Sequence, residues 1–261
     1  MQQTEGFTEY RVRSGVNWSA LKHYAKSPAH YLAAQKNPPA QTPEMQTGSA
    51  LHALVLEGEA AFASRYAIAP EGDKRRKEVK EAWTAFEAEH AGKQALTPAQ
   101  NETVRRMAAS LLDHPKAARL LRRCTARELS LQWTDPATGI PCKGRLDGLD
   151  RDSGLVLDLK SAKDASPSAF ARQAVNLQYH GQAAFYLNGL AAEGLSADFI
   201  FVVVESAPPF GVALYHVGTD TLARGRQLVN QYLEQHAACM AANSWPGYTP
   251  DVQALILPGW A

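Results

Sequence analysis

Gly144-Arg145-Leu146-Asp147-Gly148, a turn at Arg151-Asp152-Ser153-Gly154, then Leu155-Val156-Leu157-Asp158-Leu159-Lys160: the fold and chemistry of the chain are read outward from this stretch. Alternate side chains of an extended strand point the same way. Val156, Asp158 and Lys160 therefore share one face, and Leu155, Leu157 and Leu159 share the other. An acid and a lysine stand side by side on an otherwise apolar strand. Burying them is costly unless they are paired or bind a metal. The turn lays the preceding strand alongside and brings Asp147 toward Asp158. Two carboxylates held together repel, and a divalent cation relieves the repulsion. Oxygen ligands favour magnesium, with manganese as a substitute and several waters retained. Glu128, one strand earlier, offers a third carboxylate.

Such a site suits phosphate chemistry. A carboxylate-bound metal lowers the pKa of a coordinated water and holds a phosphate oxygen, and two ions about 4 Å apart stabilise both attacking and leaving oxygens. Lys160 would position or help deprotonate the water, or stabilise pentacovalent phosphorus. The plain alternative is a salt bridge from Asp158 to Lys160 or Arg145 on a solvent-facing sheet, since an Asp-x-Lys motif is short. The Gly-x-x-Asp spacing and the strand-turn-strand between the two acids favour the metal reading. Asp150 is a rival to Asp147 but sits on the opposite face of the same strand.

Outward from this hairpin, Ala126 to Trp133, Lys143 to Asp150 and Leu155 to Lys160 read as three successive strands, joined by turn sequences. Ser166 to Leu190 reads as one helix, on which Gln178, Gln182 and Tyr186 form a polar stripe at i, i+4, i+8 beside Tyr179. Two more strands, Phe199 to Glu205 and Val212 to Val217, precede a long helix over Thr219 to Asn243. Residues 1–124 read as mainly helical. Asn17 or Ser19 caps the first helix, Ser27-Pro28 starts a second, and Thr47 to Glu57 forms a third. A charged, exposed helix over Glu71 to Gly92 follows, then an amphipathic one after the Thr97-Pro98 cap and a short one from Pro115 to near Arg123. The expectation is one domain: a helical N-terminal part, an α/β core over 125–243 and a C-terminal tail over 244–261. The order β-β-β-α-β-β-α is not that of a doubly wound nucleotide fold.

The 261 residues are 45% apolar, enough to bury a core. No apolar run is long enough to span a bilayer, and the polar Met1 to Arg13 segment is not a signal peptide, so a cytoplasmic protein without a membrane partner is expected. Three scattered cysteines, Cys124, Cys142 and Cys239, fit a reducing compartment and exclude a CxxC-based zinc or iron–sulfur site. A formal charge of +1 does not announce a nucleic-acid binder. Two basic clusters do offer phosphate contacts or plain solvated faces: Lys74, Arg75, Arg76, Lys77 and Lys80; and Arg119, Arg122, Arg123 and Arg127.

Glu128, Gly144-Arg145-Leu146-Asp147, Asp158-Leu159-Lys160 and Gln182-Ala183-Ala184-Phe185-Tyr186 together resemble the PD-(D/E)xK nuclease pattern with its QxxxY motif. That pattern marks the branch of lambda exonuclease, RecB-type nuclease domains and exonuclease VIII. Tyr179 to Tyr186 and Thr47 to Glu57 are most similar to exonuclease VIII. Ser19 to Lys22, Ser27 to Tyr31 and the charged Asp73 to Lys93 region followed by Leu96-Thr97 are also similar. The resemblance implies a restriction-endonuclease-like core, a mixed sheet flanked by helices, with a helical N-terminal elaboration. It implies a metal-dependent, ATP-independent exonuclease that resects one strand of linear duplex DNA 5′ to 3′. The resulting 3′ overhang goes to a single-strand annealing protein, in a bacterial or phage-infected cell. The family implies rings around DNA, a trimer before a tetramer.

Carried over residue by residue, Asp147, Asp158 and Lys160 are the catalytic set, with Glu128, Gln182 and Tyr186 around them. His52, Asp147, Asp158 and Leu159 are the metal set, for two magnesium ions, with manganese as a substitute. Lys22, Lys26 and Arg145 are candidates for DNA contact, the two lysines near the 5′-phosphate, which needs fixed cationic donors. A lone histidine on an Ala/Leu helix is ordinarily a core residue; the resemblance favours His52 as a ligand. An endonuclease or another DNA-processing nuclease of the same fold, or a non-catalytic DNA-binding module, are the alternatives.

Overall fold

The structure, a computed structural model, describes residues 7–73 and 75–256. Its centre is a five-stranded sheet with spatial order β3-β4-β5-β6-β7. The strands are β3 (Ala126–Thr134), β4 (Pro141–Asp150), β5 (Leu155–Ala162), β6 (Asp198–Glu205) and β7 (Val212–His216), and β1 (Tyr66–Ile68) and β2 (Gln94–Leu96) form a separate parallel pair. β3, β4 and β5 are antiparallel neighbours, β5 and β6 run parallel, and β6 and β7 are antiparallel. The parallel step needs a crossover, and two helices supply it: α9 (Pro167–Asn176) and α10 (Tyr179–Ala192). The sheet is mixed and helices cover both faces, the architecture of a restriction-endonuclease-like fold.

The alternation along β5 divides the interior into two cores. Val156 belongs to one, with Leu129, Leu131, Phe185, Phe199 and Phe201; Leu157 and Leu159 belong to the other, with Val202 and Val204. The first core is closed by α2 (Trp18–Leu21), α3 (Pro28–Lys36), α10 and α11 (Thr219–Ala242). The second is closed by α4 (Pro43–His52), α5 (Glu59–Arg65), α7 (Pro98–Asp113) and α8 (Pro115–Arg123). The N-terminal helices are thus a covering layer of the sheet. α1 (Phe7–Val12) is pinned by Lys143, whose Nζ donates to the carbonyls of Tyr10, Arg11 and Arg13. Lysine charge at a helix C-terminus is favoured by the backbone dipole.

The local signals act where the sequence places them. Asn17, not Ser19, caps α2 by accepting from Ala20 N, and Thr97 and Gln100 form a reciprocal capping box on α7. The charged segment forms a shorter helix, α6 (Lys77–Glu89), with no buried residue. Two expectations change. The Thr47–Glu57 helix begins at Pro43, and after His52 it widens into a π-helical turn over Ala53–Glu57. The single helix expected over 166–190 is two: the chain breaks at Leu177, and Gln178 takes a left-handed backbone at φ 56° before α10 begins. Gln178 is therefore the cap of α10 and not the first member of a helical stripe. Helical periodicity carries no sign of such a break, because apolar spacing continues across it.

Candidate active site

Both strand ladders open at one place. Between β3 and β4 the pairing passes from Arg127↔Gly148 to Leu129↔Leu146 and leaves out Glu128 and Asp147. Between β4 and β5 it runs Asp150↔Leu155, Leu149↔Val156, Gly148↔Leu157 and then stops, one position short of Asp147 opposite Asp158. Glu128 has a left-handed backbone at φ 50°. Leu146 and Leu149, three residues apart, lie in the same core, so the in/out alternation slips by one residue at Asp147. Three carboxylates, Glu128, Asp147 and Asp158, thus occupy one row across three strands. Strain and interrupted pairing of this kind gather at functional sites.

The opened ladder frees backbone groups for side chains. Leu159 N donates to Asp147 Oδ2 at 2.7 Å, the bond that continued β4–β5 pairing would have used up. The Leu159 carbonyl accepts from His52 Nε2 at 2.7 Å. A carbonyl only accepts, so His52 carries its proton on Nε2 in this form. The same Nε2 lies 3.4 Å from Asp147 Oδ2. Gly48, one turn before His52, faces Ser161: a Cβ there would stand in ordinary contact with its Oγ, at 3.5 Å.

Asp158 is 1% exposed. Its Oδ1 accepts from Gln182 Nε2 at 3.1 Å, and the same amide donates to the Tyr186 hydroxyl at 3.3 Å. Its Oδ2 forms an ion pair with Lys160 Nζ. Lys160 Nζ lies 4.8 Å from the centre of the Tyr179 ring and 5.8 Å from that of Phe201. Gly144 makes room for the Tyr186 ring: a Cβ at 144 would stand 3.0 Å from it.

Electrostatics follow from burial and crowding. Burial, with Asp158 adding to it and His52 opposing it, pushes the Asp147 carboxyl up to about 7. Burial by itself would lower Lys160, but the carboxylates of Asp158 and Asp147 outweigh that and hold it above the usual lysine value. Burial, with Asp158 adding to it, keeps the Tyr186 hydroxyl well above its ordinary range, so it stays neutral.

Of the four expected metal ligands, His52 Nε2, the Asp147 carboxylate and the Leu159 carbonyl lie together, and Asp158 is near enough to Asp147 for its charge to raise the Asp147 carboxyl. Asp158 Oδ2 is paired with the Lys160 ammonium, a position that a divalent cation would have to share or take over. Among the described residues, no group of three or more His, Cys, Asp or Glu side chains is set to hold a metal ion. The reason is local. Asp158 is turned to Lys160 and Gln182, and His52 spends its Nε2 proton on Leu159. The donor set suits a hard divalent ion once that proton leaves Nε2. Divalent affinity is accordingly expected to weaken as pH falls through about 7, where Asp147 takes up a proton that must leave before a cation binds. Calorimetric titration with magnesium at pH 6 and pH 8 checks this; equal affinities would contradict it. The sign for the metal-free fold is opposite in sense. A carboxyl raised above its unfolded value adds stability that is complete below about 3.8 and is lost as pH rises through about 7.

The other candidates fall into place unevenly. Arg145 Nε donates to Glu128 Oε2 at 2.6 Å, so in this form both are engaged with each other. Lys22 is half-buried; burial lowers its pKa and the charge of Lys160 lowers it further, which puts it within reach of the site. Lys26 is exposed. Asp150 is tied into its hairpin turn by Ser153 and Arg123, away from the carboxylate row. Arg127 braces structure: it donates to the carbonyls of Leu56 and Leu121, holding the π-turn beside His52 to the end of α8. Its place on a strand, next to Glu128, was the available signal. Gln173 was missed; its Nε2 donates to the Tyr179 hydroxyl and the Ser161 carbonyl, steadying the ring under Lys160. Of the first basic cluster, Arg75 pairs with Asp73 and Lys77 with Glu81, and Lys74 lies outside the described residues.

His52→Ala is expected to weaken divalent binding by at least about tenfold, while the melting temperature without metal changes little. The residue is a third exposed, so little core is lost. A marked loss of metal-free stability with unchanged metal affinity would make it a core histidine instead.

The family model described as a PDDEXK-like domain of unknown function (DUF3799) matches residues 17–258. A crystal structure from Eubacterium rectale, described as a "putative exonuclease", is similar over 97% of this chain and 93% of its own, at a TM-score of 0.62 and 12% identity. At that identity the likeness concerns the fold. A structure of SSO0001 aligns over 60% of this chain and 69% of its own, with 17% identity and a TM-score of 0.32, too low to bear on the fold. No curated protein matches the chain. No helix among the described residues is long and apolar enough to cross a membrane.

Proposed function

The chain belongs to the PDDEXK-like family whose model spans residues 17–258, and from that premise we propose that it is a divalent-metal-dependent exodeoxyribonuclease acting on the ends of linear duplex DNA. The observation that carries the reading is the meeting of His52, Asp147, Asp158, Lys160 and the Leu159 carbonyl where two strand ladders open. A divalent ion bound there, magnesium or manganese, singly or as a pair, would supply an activated water and a hold on the phosphate. The chain's own residues do the rest. Asp147 and Asp158 provide the charge that holds the ion, and Gln182 and Tyr186 orient Asp158 from behind. Lys160 keeps its proton in this form, so it acts first as a cation, placed to take charge developing on phosphorus. Glu128 becomes available to the site when Arg145 turns from it to a phosphate.

The finer reading is a resection enzyme of the exonuclease VIII and lambda exonuclease kind. It degrades one strand 5′ to 3′ without ATP and hands a 3′ overhang to a single-strand annealing protein. The similarity over Thr47–Glu57 supports it, since this segment brings His52 to Asp147. Lys22 and Lys26 are the proposed contacts to the end of the DNA. The test is digestion of a linear duplex labelled separately at each 5′ and 3′ end, with magnesium and no ATP. Early release of the 5′ label alone is expected. Cleavage of closed circular duplex would instead make it an endonuclease.

A formal charge of +1 supplies no global field to retain DNA. A closed ring of subunits would retain it topologically, and rings arise from heterologous contacts that close. We therefore propose a cyclic oligomer, a trimer before a tetramer. Light scattering at micromolar concentration is expected to show it, with DNA affinity falling by roughly one power of salt concentration per phosphate neutralised. A monomer that releases DNA after a few nucleotides would overturn the ring.

A further inference from the structure

The grip of Gln182 on Asp158 depends on where α10 starts, and α10 starts at an awkward place. Gln178 holds a left-handed backbone that non-glycine residues seldom adopt. Its side-chain Oε1 is buried without a hydrogen-bond partner among the described residues. Its backbone N–H donates to the Val175 carbonyl at 3.1 Å, and beyond such local bonds the turn is also held from outside the segment. Three donors converge on the Gln178 carbonyl: Gly181 N at 3.1 Å, Gln182 N at 3.2 Å and the indole Nε1 of Trp18 at 3.2 Å. Two of them belong to α10 itself. The third comes from α2, 160 residues earlier in the chain.

The Trp18 ring is fitted to that turn as well as bonded to it. A Cβ added at Gly181 would stand 2.1 Å from Trp18 Cζ2 and 2.3 Å from Cη2, so the ring lies against bare backbone where no other residue fits. Trp18 is 4% exposed, and its ring packs against Phe185 and Tyr232, each at 6.0 Å. The path to the site is short. Trp18 bonds the Gln178 carbonyl, that carbonyl receives the backbone N–H of Gln182, and the side chain of Gln182 holds Asp158.

We propose that Trp18 is a positioning residue for the reaction, locking the left-handed start of α10 so that Gln182 meets Asp158. The inference rests on the nuclease reading, and its test is arranged to fail separately from it. Trp18→Phe removes the indole N–H and keeps a ring over Gly181. It is expected to lower kcat about tenfold with KM within about twofold, the cost of a neutral hydrogen bond that sets geometry. In a Gln182→Ala background the same change is expected to cost less than about twofold, because the lock acts through Gln182. Adding Gln178→Gly to Trp18→Phe is expected to restore most of the activity, since glycine takes the left-handed conformation unaided. Hydrogen exchange needs no substrate: Trp18→Phe is expected to speed exchange at Gly181 and Gln182 while the far end of α10 is unchanged. Should Trp18→Phe fail to fold, Gln178→Val strains the same turn and leaves the Trp18 ring in place, and its loss must likewise vanish in the Gln182→Ala background. Equal losses in both backgrounds, or unchanged exchange at Gln182, would overturn the lock. A wild-type chain that exchanges as expected but cleaves no DNA would overturn the nuclease reading and leave the lock standing.

Discussion

Asp158→Asn is expected to abolish the proposed cleavage of linear duplex DNA, lowering kcat by at least about 10³-fold, and to remove the stabilisation expected from magnesium in the wild-type protein. The expectation comes from how the carboxylate is held. It is 1% exposed, anchored through Oδ1 by Gln182 and paired through Oδ2 with Lys160. An amide keeps the shape and removes the charge that a divalent ion needs. Magnesium at a hundred times its dissociation constant stabilises a folded protein by about 2.7 kcal/mol. For a chain of this length that is a rise in Tm of roughly 5–10 °C. The rise should disappear in Asp158→Asn. The metal-free Tm should move much less, because two effects oppose each other. Lys160 loses one partner but still feels Asp147, and Asp147 is relieved of a like charge. Thermal unfolding with and without magnesium, beside a cleavage assay, separates the two. A variant that keeps its magnesium-induced rise and its activity would remove Asp158 from the site.

Lys160→Ala gives the complementary result: magnesium still binds, and kcat falls by about 10²–10⁴-fold. Lys160 touches Asp158 and the faces of Tyr179 and Phe201 but is not itself a donor set for a cation. Its removal frees Asp158 from a competing positive charge, so magnesium affinity should rise or stay level while the chemical step is lost. KM should change less than kcat, because a group that acts in the transition state and not in ground-state binding is missed mainly there. Single-turnover cleavage combined with calorimetry reads both quantities. Normal single-turnover rates would take lysine out of the mechanism.

How far the sequence carried this reading differs between elements. The β3-β4-β5 hairpins, the sharing of faces along β5 and the meeting of Asp147 with Asp158 were legible, because strand alternation and turn residues act locally. Caps at Asn17, Ser27 and Thr97 were legible for the same reason. The break at Gln178 was not. A left-handed residue held by an indole 160 positions away leaves no trace in spacing. The slip of alternation at Glu128 and Asp147 was also hidden, since both strands slip together and the register is preserved. Resemblance, not periodicity, pointed to His52. On its own helix it is one histidine among alanines and leucines, and only the tertiary fold sets its Nε2 3.4 Å from Asp147. Arg127 shows the reverse error. A basic cluster in sequence suggests phosphate contact, but its guanidinium is spent on two carbonyls.

His52, Asp147, Asp158 and the Leu159 carbonyl are proposed to form one divalent-metal site that drives cleavage of DNA. Its most direct measurement is a magnesium titration of end-labelled linear duplex cleavage by the wild-type chain, begun in excess chelator and repeated with Asp158→Asn. No cleavage in chelator, saturable activity as magnesium is added without ATP, and none at any magnesium concentration in the variant are expected. Full activity in chelator, or equal magnesium dependence in the variant, would contradict it.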